Sequence, residues 1–380
     1  MKIPLFKIYS DNEDIDAVKK VIEKGSFWAI GTEIEEFEKK IADYIGTKYA
    51  VAFNSGTSAL HVLLLSYSLK GSEIIVPSFT FISTVNSVLL AGATPIFAET
   101  ESETGGLDIE DVKQKITPKT KAIIALHYAG FPSRDIEKLR TLCDQQNLLL
   151  IEDAAESIGA SINEKKIGSF GDSSILSFCQ NKVLPIGEGG MILTNSREIY
   201  ERSKLFRSHG RVENDYFSGD SKNEYIQLGY NFRLPTILAS LGISQFKKLN
   251  NLISIRRNIA KYFDKNLSDI QEIKFLKKIE NHFQVYQMYS ILLPSKKIRD
   301  DLQNFLKSKS IASKIYFFPV HLENFYRKKF FCSEGDLPKT EKISSRILSL
   351  PFFPQLTIQE ADYIIDSIKE FFKKENEKYI

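Results

Sequence analysis

One lysine of this 380-residue chain occupies a position from which its amine could attack a carbonyl compound. Lys182 ends a short segment, residues 177–182 (SFCQNK), that lies between two apolar runs, and a glycine-rich turn follows at residues 187–190. A lysine between two core strands can point inward, where partial loss of hydration favours the neutral amine that forms an imine. Most lysines are solvated surface charges, so this segment alone favours the simpler interpretation.

A carboxylate follows another apolar run, in residues 149–156 (LLIEDAAE), and Asp153 lies where that run ends. In open α/β sheets ligands bind beyond the carboxyl ends of the strands, so a carboxylate at this point is well placed to act on one. It could keep a pyridinium nitrogen protonated by charge pairing, which is what makes pyridoxal phosphate an electron sink. The alternative is that Asp153 is the N-cap of a helix.

A third segment, residues 54–60 (NSGTSAL), has the features of a phosphate site. An apolar strand ends here, Gly56 turns the chain, and Thr57 and Ser58 lie in the first turn of an expected helix. Free backbone N–H groups and the helix dipole attract phosphate, and the hydroxyls can add hydrogen bonds. An ordinary helix N-cap explains the same residues. The nucleotide signatures GxGxxG and GxxxxGKS/T are both absent from the sequence.

The elements that must position these residues form two patterns along the chain. From residue 48 to residue 194, short apolar runs alternate with amphipathic helical segments, which is typical of an α/β domain with a mostly parallel, helix-covered sheet. Seven runs predict its strands: residues 49–53, 73–76, 95–98, 121–126, 148–152, 174–178 and 190–194.

Beyond about residue 241 the pattern changes to that of a smaller α+β domain. It has a lysine-rich helical segment at residues 245–266, a strand at 286–293 and helices at 298–308 and 358–374. We expect a large domain of residues 1–245, which includes the N-terminal helices, and a small domain of residues 246–380.

The composition argues against several classes of function. The formal net charge is +3, from 51 basic and 48 acidic residues, so the basic excess of a nucleic-acid-binding protein is missing. Cys143, Cys179 and Cys332 are far apart and form no CxxC pair, so we expect neither disulfides nor a metal site, and a reducing compartment. The N-terminus lacks a signal peptide's apolar core and no apolar run could cross a bilayer, which predicts a cytoplasmic protein without a membrane partner.

Together these segments resemble the DegT/DnrJ/StrS family of sugar aminotransferases, which depend on pyridoxal phosphate. The resemblance covers nearly the whole chain, from residues 25–28 (GSFW) to 350–354 (LPFFP). Its motifs are residues 55–60 (SGTSAL), 152–156 (EDAAE), 177–178 with Lys182 and 187–189, and 229–233 (GYNFR). It implies the aspartate-aminotransferase-like fold, fold type I, with a mostly parallel seven-stranded sheet in the large domain and a smaller α+β C-terminal domain.

The resemblance implies pyridoxal 5′-phosphate as the cofactor, with pyridoxamine phosphate as its aminated form. Lys182 would hold the cofactor as a Schiff base and Asp153 would pair with its pyridine nitrogen; these are the implied catalytic residues. Further implied contacts are Gly56, Thr57, Ser58 and Ser177 at the phosphate, Phe81 on the ring face, Glu156 at the ring hydroxyl, and Asn231 from the neighbouring subunit. Asn231 therefore implies a homodimer with shared active sites, while Phe79 and Phe81 could both be simple core residues.

The resemblance also implies the reaction. An amino acid, with L-glutamate as the expected donor, would give its amino group to a nucleotide-linked keto-sugar, a 3- or 4-keto deoxysugar, in amino-sugar and surface polysaccharide biosynthesis. The positions of substrate contacts are occupied by Trp28, His209, Arg211, Tyr316 and His321. Pro185 and Ile186 stand where relatives have small polar residues, which would alter the substrate pocket. A sugar dehydratase with the same cofactor and a non-catalytic regulator on the same fold stay open as alternatives.

Overall fold

A computed structural model of the chain describes residues 1–212 and 224–377, and the elements below are those of the described residues. The helices are α1 (Asn12–Glu23), α2 (Thr32–Ile45), α3 (Gly56–Ser66), α4 (Ile82–Leu90), α5 (Ile109–Lys115), α6 (Ile136–Gln146), α7 (Arg197–Arg207), α8 (Thr236–Leu267), α9 (Lys296–Ser308), α10 (Asn324–Phe330), α11 (Pro338–Arg346) and α12 (Ile358–Glu377). The strands are β1 (Tyr49–Phe53), β2 (Glu73–Pro77), β3 (Thr94–Ala98), β4 (Thr120–Leu126), β5 (Leu149–Asp153), β6 (Ser161–Ile162), β7 (Lys165–Lys166), β8 (Ser173–Ser177), β9 (Gly190–Thr194), β10 (Lys274–Phe275), β11 (His282–Phe283), β12 (Tyr289–Leu292) and β13 (Ile347–Leu350). Within these ranges no helix combines the length and apolar composition that a membrane crossing requires.

A seven-stranded sheet forms the centre of the first half of the chain, in the order β1-β9-β8-β5-β4-β2-β3. Neighbouring strands from β8 to β3 are parallel, and β9 runs antiparallel to both β1 and β8. The expected mostly parallel seven-stranded sheet is therefore confirmed. The seven predicted strands are all present, and each predicted bound differs from the observed one by at most one residue.

Helices cover both faces of this sheet. Successive side chains of a strand point to opposite faces, so each strand contributes to two cores. In β4, Ile123 and Ala125 join the core that includes α2 and α6, whereas Ala122 and Ile124 join the core that includes α3 and α4. Burial on both faces explains why the strands read as continuous apolar runs rather than as alternating ones.

The parallel strands bring the predicted site segments to one edge of the sheet. Asp153 ends β5 and Ser177 ends β8, and these two strands are parallel neighbours. Strand β1 runs in the same direction as β8, because β9 is antiparallel to both, and β1 leads directly into Ser55 and α3. The segments around Gly56, Asp153 and Lys182 therefore meet at the carboxyl ends of the strands, where open α/β sheets bind ligands.

The C-terminal residues build a second core around the antiparallel sheet β10-β12-β13. Side chains of α8, α9, α11 and α12 fill this core, and Ile3 and Tyr128 join it from earlier in the chain. Helix α8 runs through residue 245 as one helix of 32 residues, and α1 and α2 pack along it. The division into residues 1–245 and 246–380 stays a prediction.

Candidate active site

Lys182 lies in a partly buried loop, beside a carboxyl group. The loop follows β8, and the Lys182 N–H donates to the Cys179 carbonyl at 2.9 Å in a tight turn. The Lys182 Nζ lies 3.4 Å from Glu156 Oε1, and the side chains of both residues are largely buried. Lys182 is therefore not a solvated surface charge.

The carboxyl group of Glu156 is fixed from the other side by the backbone. Ala129 N–H donates to Glu156 Oε2 at 2.8 Å, so one carboxyl oxygen contacts an amide and the other faces Lys182. Burial raises the pKa of Glu156, while the charge of Lys182 and the Ala129 hydrogen bond lower it in part.

Asp153 presents a second buried carboxyl group at the end of β5. Thr84 Oγ1 donates to its Oδ2 at 2.8 Å, and Ala155 N–H donates to its Oδ1 at 3.2 Å. Burial raises the pKa of Asp153 above its usual value, and the two hydrogen bonds and the charge of Lys182 offset only part of that shift. No helix begins between residues 154 and 196, so Asp153 is not a helix N-cap. A positive group placed against it would favour the ionised carboxylate.

The first turn of α3 lies against the end of β8. Ser55 is the N-cap of α3: its Oγ accepts a hydrogen bond from Ser58 N–H at 3.0 Å and lies 2.9 Å from Ser58 Oγ. A Cβ on Gly56 would lie 3.1 Å from the Cβ of Ser177, so any larger residue would press the two segments apart. The N–H groups of Gly56 and Thr57 begin the helix and have no carbonyl partner within it. Ser55 thus caps the helix, and the residues after it can still bind an anion.

A buried histidine and a buried glutamate stabilise this edge of the sheet. The sequence did not predict either of them as a site residue. His127 Nε2 lies 3.1 Å from Glu152 Oε2, and both side chains are inaccessible to solvent. Ser133 N–H donates to His127 Nδ1 at 3.0 Å, which assigns the proton of a neutral ring to Nε2. Glu152 also accepts backbone hydrogen bonds from residues 168, 170 and 171, at 2.9, 2.7 and 2.7 Å.

This pair acts on the site through the backbone. His127 N–H donates to the carbonyl of Asp153 at 3.3 Å, and the turn after His127 carries Ala129, the donor to Glu156. The signal available in the sequence was position alone: Glu152 lies next to Asp153, and His127 follows the neighbouring run.

Exposure separates the two phenylalanines that the sequence left open. Phe79 is fully buried against Tyr128, with ring centroids 4.8 Å apart, whereas Phe81 is 58% exposed at the start of α4. The ring of Phe81 lies 6.2 Å from that of Phe317. The preceding residue, Tyr316, lies near Glu156: burial, and then the charge of Glu156, raise the pKa of its hydroxyl. Phe81 is thus the phenylalanine that a ligand could contact.

His321 is held inside the protein by both ring nitrogens. Its Nδ1 lies 2.7 Å from Ser78 Oγ and its Nε2 lies 3.2 Å from Glu341 Oε1, and the residue is 1% exposed. Its N–H donates to the same Ser78 hydroxyl at 3.0 Å. These contacts link α11 to the end of β2, which leads to Phe81. Both ring nitrogens of His321 therefore already have partners within the protein.

Four other predicted residues lie near the end of α7 and the start of α8. Ser208 forms a β-bridge with Asn231 and accepts a hydrogen bond from Arg211 Nη2 at 3.4 Å. His209 N–H donates to the Tyr230 carbonyl at 2.8 Å, and Thr236 N–H donates to the Trp28 carbonyl at 2.8 Å. We call this group the Arg211 cluster: Trp28, His209, Arg211 and Asn231. The Lys182 cluster is Lys182, Asp153, Glu156, Gly56, Thr57, Ser58 and Ser177.

Arg211, alone of its cluster, lines a cavity of about 950 Å³. Three arginines line it, Arg207, Arg211 and Arg233, together with residues of α2 and β1, and its lining does not include Lys182 or Asp153. Asn231 is exposed and Trp28 is half exposed, with its indole N–H donating to the Val21 carbonyl at 3.1 Å. The two clusters are adjacent at one point, since Asn54 N–H donates to the Phe232 carbonyl at 2.9 Å, but only the Arg211 cluster contributes to this cavity.

The Lys182 cluster fits pyridoxal phosphate. Its α3 terminus suits a phosphate, and its lysine suits an aldehyde. Burial raises the pKa of both Asp153 and Glu156, and a protonated pyridine nitrogen would supply the positive charge that two buried carboxyl groups need beside Lys182.

Comparison with known proteins decides the family. The model of the DegT/DnrJ/EryC1/StrS aminotransferase family matches residues 9–369. The chain belongs to this family. It is therefore an aminotransferase, and its cofactor is pyridoxal phosphate.

Individual relatives match along almost their full lengths. The chain is 35% identical over 371 residues to GDP-perosamine synthase of Escherichia coli O157:H7, covering 97% of this chain and 98% of that protein. It is 32% identical over 384 residues to the pleiotropic regulatory protein of Geobacillus stearothermophilus, covering 98% and 99%. Helicobacter pylori PseC, an aminotransferase involved in the biosynthesis of pseudoaminic acid, superposes with a TM-score of 0.92 at 29% identity, covering 98% of this chain and 100% of that one. The expected aminotransferase fold is confirmed.

Proposed function

We propose that this aminotransferase moves the amino group of L-glutamate to a nucleotide-linked 3- or 4-keto deoxysugar, as a step in amino-sugar and surface polysaccharide biosynthesis. The observation that carries the proposal is the meeting of Lys182, Asp153 and Glu156 in one buried group at the carboxyl ends of the strands. The similarity to GDP-perosamine synthases of two organisms, at 35% and 34% identity, supports a nucleotide sugar as the acceptor.

The residues of the Lys182 cluster would hold the cofactor at three points. The N–H groups at the start of α3, with the hydroxyls of Thr57, Ser58 and Ser177, would bind the phosphate. Asp153 would pair with the ring nitrogen, and the exposed ring of Phe81 would cover one ring face. When bound, pyridoxal phosphate supplies an electron sink that stabilises negative charge on the substrate carbon.

Lys182 would serve both as the attachment point and as the base that moves the proton. Its amine is the basic side chain that contacts the buried carboxyl of Glu156, and an amine of this kind transfers protons efficiently when it is partly desolvated. Asp153 would keep its negative charge against the ring nitrogen, because Thr84 and Ala155 already donate hydrogen bonds to it. The buried rings of Phe79 and Tyr128 pack against each other, and Tyr128 directly precedes Ala129, which donates to Glu156.

A homodimer with shared sites is part of the proposal. Asn231 is exposed, and the family resemblance implies that it contacts the cofactor phosphate of the neighbouring subunit. We propose that Trp28, His209 and Arg211 reach the sugar nucleotide of the neighbouring site in the same way. Tyr316 and His321 stay predicted substrate contacts, and Pro185 and Ile186 stay a predicted change in the pocket. Since Cys143, Cys179 and Cys332 are free thiols, we also propose a reducing, cytoplasmic location.

The two halves of the reaction test the proposal separately. Cofactor-loaded protein mixed with L-glutamate alone should release one 2-oxoglutarate per site, and a panel of nucleotide keto-sugars should then yield one amino product, identified by its mass. A dehydrated product would favour the dehydratase alternative. No release of 2-oxoglutarate from wild type, with a Lys182→Ala strain of normal phenotype, would favour the regulator, a possibility kept open by the relative named as a pleiotropic regulatory protein.

A further inference from the structure

Two carboxyl groups and one ammonium share the buried centre of the site. Asp153 and Glu156 are 5% exposed each; burial raises the pKa of both carboxyl groups, and the charge of Lys182 opposes this shift at each of them. An uncompensated charge in such surroundings is costly, so the number of protons in the group must follow the charge of Lys182. Once the Lys182 nitrogen gives up its positive charge, Glu156 loses the cation that contacts it, whereas the ring nitrogen of a bound cofactor would supply a cation to Asp153.

Hydrogen bonds decide which carboxyl group takes the proton. Both oxygens of Asp153 accept hydrogen bonds, from Thr84 and from Ala155. Glu156 accepts one from Ala129 at Oε2, and its Oε1 contacts the Lys182 amine. A proton on Asp153 would weaken a hydrogen bond that the carboxylate accepts, whereas a proton on Glu156 Oε1 takes the place of the contact with the ammonium.

The backbone donor that orients Glu156 is built into a tight turn. Ala129 has φ 56° and ψ 16°, the left-handed region that side chains other than glycine rarely adopt. Gly130 follows with φ 84°, and a Cβ there would lie 2.8 Å from the Gln287 nitrogen. Val285 N–H donates to the Gly130 carbonyl at 3.0 Å, which holds the turn in place. The Ala129 amide therefore holds Oε2 of Glu156, and Oε1 is the oxygen that can exchange a proton with Lys182.

The other titratable groups around Glu156 do not compete for this proton. Two tyrosine hydroxyls interact with its charge, and burial raises the pKa of both Tyr128 and Tyr316, so both are neutral phenols at neutral pH. The Tyr128 hydroxyl donates to the Tyr316 carbonyl at 2.6 Å. Lys182 and Asp153 are the remaining charged neighbours of Glu156.

We propose that Glu156 is the proton store of the site, which takes a proton on Oε1 when Lys182 becomes neutral and returns it when Lys182 is charged again. The N–H bond of the ammonium breaks, its electron pair stays on the nitrogen, and an O–H bond forms on Glu156 Oε1, so charge and atoms balance. This inference rests on the proposed function, because it takes loading with cofactor as the event that removes the charge of Lys182. A glutamine at position 156 could accept from Ala129 but could not hold this proton.

Proton counting during cofactor loading tests the proposal. Calorimetric binding of pyridoxal phosphate to the cofactor-free protein, in buffers of different ionisation enthalpy, gives the protons exchanged with solvent. Protons belonging to the phosphate are common to all variants, so the difference between wild type and Glu156→Gln reports Glu156 alone. We expect wild type to retain about one more proton per site than Glu156→Gln. The control Glu188→Gln removes an exposed carboxyl of the same loop region and should match wild type.

A second measurement keeps the test independent of how well the variant folds. The infrared difference spectrum of loaded minus cofactor-free wild type should contain the carbonyl band of a protonated carboxylic acid, and Glu156→Gln should lack that band. Equal proton counts for wild type and Glu156→Gln, or a loaded wild type without the acid band, would overturn the proposal. Failure of wild type to bind the cofactor through a lysine at all would instead overturn the proposed function.

Discussion

The Lys182 cluster and the Arg211 cluster differ in how completely one subunit builds them. The first is closed: its carboxyl groups are buried, and Ala129, Thr84 and Ala155 donate hydrogen bonds to them. The second is more open: Asn231 is exposed and Trp28 is half exposed, while the buried Arg211 lines a large cavity. A single chain thus prearranges the groups that would bind the cofactor, and it leaves open the side on which we propose that the substrate and a second subunit meet.

The largest effect should come from the charge of Asp153. Asp153→Asn keeps an oxygen that can accept from Thr84 but loses the negative charge, so the ring nitrogen of the cofactor would lose its partner. We expect kcat/KM for transamination to fall roughly 10²- to 10³-fold with little change in the thermal midpoint. Initial rates and thermal unfolding check this together. A fall below tenfold would show that the closed cluster does not depend on this charge.

The brace behind the closed cluster should matter for stability. Glu152→Ala would leave His127 Nε2 and three buried backbone N–H groups without their acceptor. We expect the free energy of unfolding to fall by about 3 to 5 kcal/mol, measured by denaturant titration. Glu188→Gln, at an exposed carboxyl, should change it by less than about 0.5 kcal/mol. A loss similar to that of the control would mean that the buried pair contributes little.

Mixing two inactive variants tests whether the clusters meet across subunits. Homodimers of Lys182→Ala and homodimers of Asn231→Ala would each have low activity, because both of their sites lack a native residue. A mixed dimer would contain one site with both native residues. Unfolding the two together and refolding them in equal amounts should place half of the chains in mixed dimers, so about a quarter of the wild-type activity should return. Refolding each variant alone is the control. No gain on mixing, with dimers present by size, would contradict shared sites.

The smallest effect should be the pH dependence that His321 contributes. Burial lowers the pKa of His321 below its usual 6.5, although Glu341 opposes the shift. The unfolded chain therefore binds more protons than the folded one as pH falls, and stability is lost as pH drops below about 6.5. The slope is at most about 1.4 kcal/mol per pH unit. Stability between pH 7 and pH 5 should fall less steeply for His321→Asn than for wild type, and parallel curves would refute this role.

The sequence was sufficient where local pattern and motif order decide the structure. Apolar runs between turns predicted the seven strands to within one residue, because both faces of the sheet are buried. Lys182, Asp153 and the turn at Gly56 could be combined because the carboxyl ends of strands of one direction meet at one edge. The antiparallel direction of β9 has no local signal, since one buried run looks like another.

Contacts between residues far apart in the chain could not be predicted from the sequence, because they too leave no local signal. The contact of His127 with Glu152 joins residues 25 positions apart, and each is ordinary in its own segment. Phe79 is buried because it packs against Tyr128, whereas Phe81 is exposed, and the spacing of the two residues does not encode this difference. The bond pattern of His321 likewise depends on Ser78, 243 residues earlier in the chain.

The most direct test of the closed cluster is to find which lysine binds the cofactor. Purified protein loaded with pyridoxal phosphate should show a visible absorption band, and borohydride should abolish that band and fix the cofactor to the chain. Peptide mass mapping should then place the added mass on Lys182, and the same treatment of Lys182→Ala should leave the chain unmodified, whereas Lys247→Ala, at an exposed lysine of α8, should behave as wild type. Added mass on another lysine, or no visible band, would contradict the assignment of Lys182.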